Sequence, residues 1–190
     1  MAVYDIVLKN RSYRRFYQEE RIDSDLLLNL VELARLSASG SNKQALKFVL
    51  VNDPAKCDIV FPSTEWAGYL ENWAGPAKGE QPSAYIIILG DTAISKTFGV
   101  DHGIAAQSIL LGATEKGFGG CMIASIRRKK LRDDLEIPGR YEILLVIALG
   151  KPGEKVVIDE VKDGDIKYWR DKNDVHHVPK RSIRDITLEL

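Results

Sequence analysis

Asp101–Gly117 reads DHGIAAQSILLGATEKG, the longest helical pattern in the chain. Ile104, Ala105, Ala106, Ile109, Leu110, Leu111, Gly112 and Ala113 place apolar or small side chains almost all round it, and Gly117 supplies a stop. A helix with so little polar face is covered on more than one side. In a chain of 190 residues, one of those sides is expected to meet a second subunit. On the C-terminal side, GGCMIAS is followed by the basic run RRKK (127–130), which opens a short helix. YEILLVIALG (141–150) then reads as a central strand. On the N-terminal side, AYIIIL (84–89) is apolar and short enough for a buried strand, and KFVLV (47–51) reads as another. Earlier still, Asp23 or Ser24 caps a helix carrying Leu26, Leu27, Leu30, Val31, Leu33 and Ala34, and residues 3–9 form a shorter one. Helices and strands in this order predict a single α+β domain over 1–190, with a mixed or antiparallel sheet of four to five strands wrapped by helices. The segment 62–82 is punctuated by Pro and Gly and carries Trp66, Tyr69 and Trp73. It reads as an excursion from the core, and residues 151–190 read as a polar C-terminal arm.

Composition narrows the function. Lys plus Arg and Asp plus Glu both number 27, so the formal net charge is zero. Nucleic-acid binders usually carry a basic excess, so no nucleic-acid partner is expected. Cys57 and Cys121 are the only cysteines and read as reduced thiols of a cytoplasmic protein without a signal peptide. No apolar run approaches the ~18 residues of a membrane span, so no membrane partner is expected. His102, His176 and His177 show no zinc spacing, and no metal is expected. The adjacent pair His176 and His177 would point to opposite sides of a strand.

Within this neutral chain KNRSYRRF (9–16) crowds Lys9, Arg11, Arg14 and Arg15 around Ser12. Forked guanidinium donors, a hydroxyl and backbone N–H groups suit the oxygens of a phosphate. A solvated surface cluster is the plainer alternative, as it is for Lys180 with Arg181. ASGSNKQ (38–44) offers Ser39, Ser41, Asn42 and Gln44 between a helix and a strand, where loops often face ligands. No Walker pattern, convincing nucleophile or acid–base pair stands out, so any chemistry belongs to a cofactor.

These stretches resemble the FMN-dependent nitroreductase family. NRSYRRF is similar to its R-R-S-x-R-x-F opening, and ARLSASGSNKQALKF to its A-R-x-A-P-S-x-x-N-x-Q-P-W-x-F segment. VDHGIAAQSILLGATEKGFGGCMIASI resembles its central helix and turn. VIALGKP and VHHVPKRSIRDI resemble its last core strand and C-terminal arm. The resemblance implies a domain-swapped homodimer with FMN held between subunits and NADH or NADPH as reductant. It also implies a nitroaromatic, quinone-like or other small aromatic acceptor. Carried over by position, Arg11, Ser12, Arg14, Lys180 and Arg181 hold the flavin phosphate. Ser39, Asn42 and Gln44 contact the flavin, and Met122, Ile123, Ala124 and Ser125 approach N5 and O4. Arg14 also stabilises the reduced ring at N1/O2, and Trp66, Tyr69 and Trp73 are candidates for a lid. Asn10, Ala38, Ala45 and Leu46 depart from the family pattern. A non-turnover flavin sensor or store is one rival reading. Dehalogenation, flavin fragmentation or dehydrogenation on the same fold is another, and a nucleic-acid module is a distant third.

Overall fold

The computed structural model describes residues 2–71 and 73–189. Met1 and Leu190, the ends of the expected domain, and Asn72, within the 62–82 excursion, lie outside the described residues. The chain opens with helix α1 (Val3–Lys9) and a two-residue strand β1 (Phe16–Tyr17). Helix α2 (Ser24–Leu36) follows, with Asp23 rather than Ser24 as its cap: the Asp23 carboxylate accepts from the Leu26 N–H at 2.7 Å. Strand β2 (Leu46–Val51) leads to helix α3 (Pro54–Val60), then strand β3 (Ala84–Asp91) and helix α4 (Asp101–Glu115). Strand β4 (Gly119–Ile123), helix α5 (Arg128–Asp134) and strand β5 (Tyr141–Pro152) complete the core. The tail forms β6 (Val156–Glu160), β7 (Trp169–Arg170), β8 (His176–Lys180) and the short helix α6 (Ile183–Ile186).

The main sheet runs β4–β5–β3–β2 with β1 extending the β5 ladder, and every pairing is antiparallel. All eight residues of β3 are buried because helices cover both faces. Ala84, Ile86 and Ile88 pack with α2 and α4, while Tyr85, Ile87 and Leu89 pack with α3 and α5. In β5, Leu145, Ile147 and Leu149 join the first layer, yet Ile143 joins the second. The ladder shifts between Ile88 and Leu89, so Leu89 opposes Ile143 and Leu144 is skipped. One extra residue reverses which face each side chain meets.

Helix α4 is covered largely by its own chain. Ala105, Ala106, Ile109, Leu110, Gly112, Ala113 and Thr114 are buried against α2 and the sheet. A Cβ on Gly112 would lie 2.3 Å from Leu33 Cδ1, which shows how closely α2 approaches. α4 itself leaves only Ile104 exposed among its large apolar side chains, while larger open apolar surface lies on α1 and α2, at Val3, Tyr4, Leu28 and Leu36, and on the tail at Ile183, Ile186 and Leu188.

GGCMI, part of the stretch that resembles the family's helix and turn, forms the edge strand β4. Gly120 is what lets it seat: a Cβ there would lie 2.3 Å from the Ala148 carbonyl oxygen. Gly120→Ala is therefore expected to cost about 1–3 kcal/mol through overpacking, read as a lower urea midpoint. An unchanged midpoint would contradict this account of the strand. The tail is also more ordered than an arm of polar sequence suggested. Strands β6 and β8 are parallel, and β7 joins β8 antiparallel. No helix among the described residues is long and apolar enough to cross a membrane.

Candidate functional site

Arg11–Arg15 leave the end of α1 and run beside β4. Ser12 bridges Gly120, and the Tyr13 N–H donates to the Gly120 carbonyl at 3.0 Å. Glu154, just after β5, organises this turn from beneath: its Oε1 accepts from the backbone N–H of both Arg14 and Arg15. Its Oε2 meets Arg170 Nη2 at 2.9 Å in a pair that is almost fully buried. Trp73 lies against the Arg170 guanidinium at 4.4 Å.

The Arg14 side chain reaches into a cavity of about 280 Å³, lined also by Trp66, Cys121, Met122, Ile123, Ala124, Ser125 and Tyr168. Its guanidinium lies 4.7 Å from the Tyr168 ring centroid, and Nη1 is 3.1 Å from His176 Nε2. A guanidinium can only donate, so that histidine nitrogen accepts and Nδ1 carries the proton. Burial, followed by the Arg14 and Arg170 charges and His177, pushes His176 down to about 4, so it is neutral at pH 7. His177 points the other way: it stacks on Trp169 at 4.1 Å and pairs with Asp159 at 2.7 Å. The opposed histidines follow the strand alternation expected from the sequence.

The depressed His176 gives a testable pH dependence. Between about 4 and the unfolded value of ~6.5, the unfolded chain binds the extra proton. The stabilisation is complete above the unfolded value and is lost as pH falls towards the folded one, by up to about 3 kcal/mol. Urea unfolding at pH 7 and pH 4.5 should therefore show a smaller loss for His176→Gln than for the parent chain. Equal losses would contradict the assignment.

Several predicted residues fall elsewhere. Ser39 and Gln44 line a second cavity of about 310 Å³ with Val31, Ala34, Leu46, Phe48, Asp101 and Ala105. Asn42 is exposed beside it. This cavity sits at β2, while Arg14 and Met122 sit at β4. Three strand spacings, about 14 Å, separate those edges. One chain therefore does not bring the two groups together. Lys180 and Arg181 are exposed at the end of β8, outside the first cavity's lining. Of the lid candidates, Trp66 lines the first cavity, Tyr69 rests on Tyr168 at 4.9 Å, and Trp73 packs on Arg170. Cys121 also lines the cavity, but burial pushes its thiol up, which disfavours the reactive thiolate. Tyr168 and Glu154 carry no sequence signal, and His176 is marked only as one of a pair expected on opposite sides of a strand, with no role at the site. No local pattern marks residues that meet Arg14 from the tail.

The sequence model of the nitroreductase family matches residues 7–151. The chain belongs to the nitroreductase family. A curated protein of Archaeoglobus fulgidus, named provisionally as an NADH dehydrogenase/NAD(P)H nitroreductase, is 26% identical over 157 residues. That alignment covers 78% of this chain and 85% of that protein. The FMN-dependent nitroreductase of Clostridium difficile R20291 shares the fold at TM-score 0.65 and 23% identity, over 79% of this chain and 87% of that one. A nitroreductase family protein of Clostridium novyi NT gives 0.67 and 24%, over 98% of this chain and all of that one (100%). The family match takes in Arg11–Arg15, the 39–44 turn and β4, and ends at residue 151, where the tail begins.

The donor set of this nitroreductase-family chain suits a flavin phosphate and ring. Arg11 Nε is buried without a hydrogen-bond partner, although Arg11 Nη2 donates to the Val7 carbonyl at 2.7 Å. An orphaned guanidinium N–H one residue before Ser12, whose side chain meets the Cys121 thiol, is a donor in want of an acceptor. The outer edge of β4 between Ser12's bridge at Gly120 and Glu65's hydrogen bond to Ser125 has no strand across it among the described residues. Backbone groups at Cys121–Ala124 can thus meet a ligand in the cavity.

Proposed function

We propose that this chain is an FMN-dependent oxidoreductase that passes two electrons from NADH or NADPH to an electron-poor acceptor such as a nitroaromatic or a quinone. The observation that carries the reading is the convergence of Arg14 and the open edge of β4 at Cys121–Ser125 on one cavity, with the orphaned Arg11 donor three residues before Arg14 on the same turn. When bound, FMN supplies hydride acceptance and donation at N5. The protein contributes binding, orientation and charge. Arg11 and Ser12 donate to the phosphate, with Lys180 and Arg181 as further phosphate cations. Arg14 sets a cation at the pyrimidine edge, held against Tyr168 and by the neutral His176 acceptor. Backbone groups of Met122, Ile123, Ala124 and Ser125, which line the cavity, would meet the N5 and O4 side of the ring. Trp66 walls the cavity from the excursion, with Tyr69 resting on its Tyr168 wall, and the aromatic lining favours flat substrates.

The working unit in this proposal is a homodimer whose two flavin sites each take residues from both subunits. Two features support it. Ser39, Asn42 and Gln44 lie at the opposite sheet edge from Arg14. In addition, Val3 and Tyr4 are 74% and 73% exposed on α1, and Leu28 and Leu36 are 57% and 66% exposed on α2, two helices that both pack against α4. A C2 interface repeats the same patch on both subunits, so the 39–44 turn of one would reach the Arg14 cavity of the other. Exchange of the C-terminal arms, with its exposed Ile183, Ile186 and Leu188, belongs to the same proposal.

The test is an absorbance spectrum after FMN reconstitution and desalting, followed by NADH or NADPH without oxygen. Retained yellow flavin should bleach and then recover on adding a quinone or nitroaromatic. Flavin that is retained but never bleached by either nucleotide would overturn the reductase reading in favour of a sensor or store.

A further inference from the structure

Between α2 and β2 the backbone does something expensive. Ser41, Asn42 and Gln44 have φ of 51°, 52° and 51°, so three non-glycine residues out of four occupy the left-handed region. Such residues persist only where the surroundings over-determine them, and they gather at functional sites. The turn contributes little apolar burial of its own, since Ser41, Asn42, Lys43 and Gln44 are all exposed. Another group must hold it.

Asp101 is that group. It is the first residue of α4, where a carboxylate complements the helix N-terminus. Its Oδ2 accepts from the Ser39 hydroxyl at 2.9 Å and its Oδ1 from the Gly40 N–H at 2.9 Å. The Ser39 oxygen in turn accepts from the Gln44 N–H at 3.0 Å. A continuous chain of hydrogen bonds therefore runs from Asp101 through Ser39 to Gln44 and closes the strained loop across its base. The Lys43 N–H donates to the Gly40 carbonyl at 3.2 Å within the same turn. α4 itself is anchored by buried side chains along its length, so the carboxylate is presented from a rigid element.

We infer that Asp101 is a positioning residue: its carboxylate clamps the 39–44 turn in its left-handed shape and so aims Asn42 and Gln44 at the flavin. This rests on the flavin reading above and extends it to a residue that does not itself touch the cofactor. The side chain at 101 thereby becomes a determinant of cofactor affinity. An Asp-to-Asn change keeps one acceptor for Gly40, and its amide N–H₂ can donate to a reoriented Ser39 hydroxyl. An Asp-to-Ala change removes both contacts.

Two readouts test it. Amide hydrogen exchange on the flavin-free protein should show faster exchange at Gly40–Gln44 in Asp101→Ala, with the rest of α4 and the sheet unchanged. FMN titration followed by flavin fluorescence should give an affinity about 10- to 100-fold weaker for Asp101→Ala, the loss expected when hydrogen bonds to a charged group are removed. Asp101→Asn should restore most of both signals. A general folding defect would instead accelerate exchange throughout the chain, and Asp101→Asn provides a second variant should Asp101→Ala fail to fold. Unchanged exchange at Gly40–Gln44 in both variants would overturn the clamp. Wild-type FMN affinity in a folded Asp101→Ala chain with a loosened turn would overturn the aiming role. A parent chain that binds no FMN at all would overturn the flavin reading and the aiming role with it. That outcome is distinguished from failure of the clamp because the exchange measurement needs no cofactor.

Discussion

Arg14→Ala is expected to weaken FMN binding by about 10- to 100-fold, the cost of losing charge-assisted hydrogen bonds, and to lower the potential of the flavin that remains. Two separate effects converge on this residue. Its guanidinium is the cation nearest the cavity's inner wall, sandwiched between Tyr168 and the turn that carries Ser12. Its removal also leaves His176, fully buried, without the donor that its Nε2 accepts from. Arg14→Lys should recover part of the charge effect but not the forked geometry that meets both an aromatic face and a histidine. Fluorescence titration gives the affinity, and equilibration with a reference dye gives the potential. Wild-type values for both in Arg14→Ala would remove this residue from the site.

Arg170→Ala is expected to produce the largest loss of stability. Glu154 and Arg170 expose only 2% and 10% of their side chains, and Glu154 also holds the Arg14 and Arg15 amides. Deleting the arginine strands a carboxylate in the interior, which costs about 3–5 kcal/mol. For a domain of this size that is a fall in melting temperature of about 10 °C. Glu154→Gln with Arg170→Met should recover much of the loss, because the uncompensated charge is gone and a glutamine oxygen still accepts from the two amides. Thermal unfolding followed by circular dichroism checks both. A fall of less than a degree or two in the single variant would show that the pair is solvated in practice. The same pair ties the tail to the N-terminal turn, so Arg170→Ala should also weaken FMN binding.

How much of this was legible in the sequence depended on how local the signal was. The apolar runs at 84–89 and 141–150 announce β3 and β5 because strands buried on both faces have no polar phase. The bulge that flips Ile143 relative to Leu145 left no such mark, since both faces are apolar there. Helix α3 went unread because seven residues with a Pro start carry too little periodicity. β4 hid behind its glycines, which look like a turn but serve close packing against Ala148. Helix α4 is apolar almost all round, as its sequence predicts, but α2 and the sheet of the same chain supply most of its cover. The stronger argument for a second subunit comes from Val3, Tyr4, Leu28 and Leu36 instead.

At the candidate site the contrast is similar. Arg11, Ser12 and Arg14 announce themselves as a basic cluster in a neutral chain, and the structure sets them beside Met122–Ser125. Tyr168, His176 and Glu154 come from the tail, more than a hundred residues away in sequence; nothing around Tyr168 or Glu154 marks them, and the VHHVPKRSIRDI stretch marks His176 as part of an arm without tying it to Arg14. Asp101 was visible only as a helix start. Its hydrogen bonds to Ser39 and Gly40 depend on how α4 is packed.

The central claim is a flavin site divided between two copies of the chain, and subunit complementation tests it most directly. One chain carries Arg14→Ala and the other carries Asn42→Ala with Gln44→Ala; each alone should bind FMN poorly. After the two are unfolded together and refolded as a mixture, mixed dimers should each regain one intact site. That is about a quarter of the wild-type capacity for random C2 pairing, measured as FMN retained and bleached by NADH or NADPH. Capacity no greater than the average of the two parents would contradict the divided site.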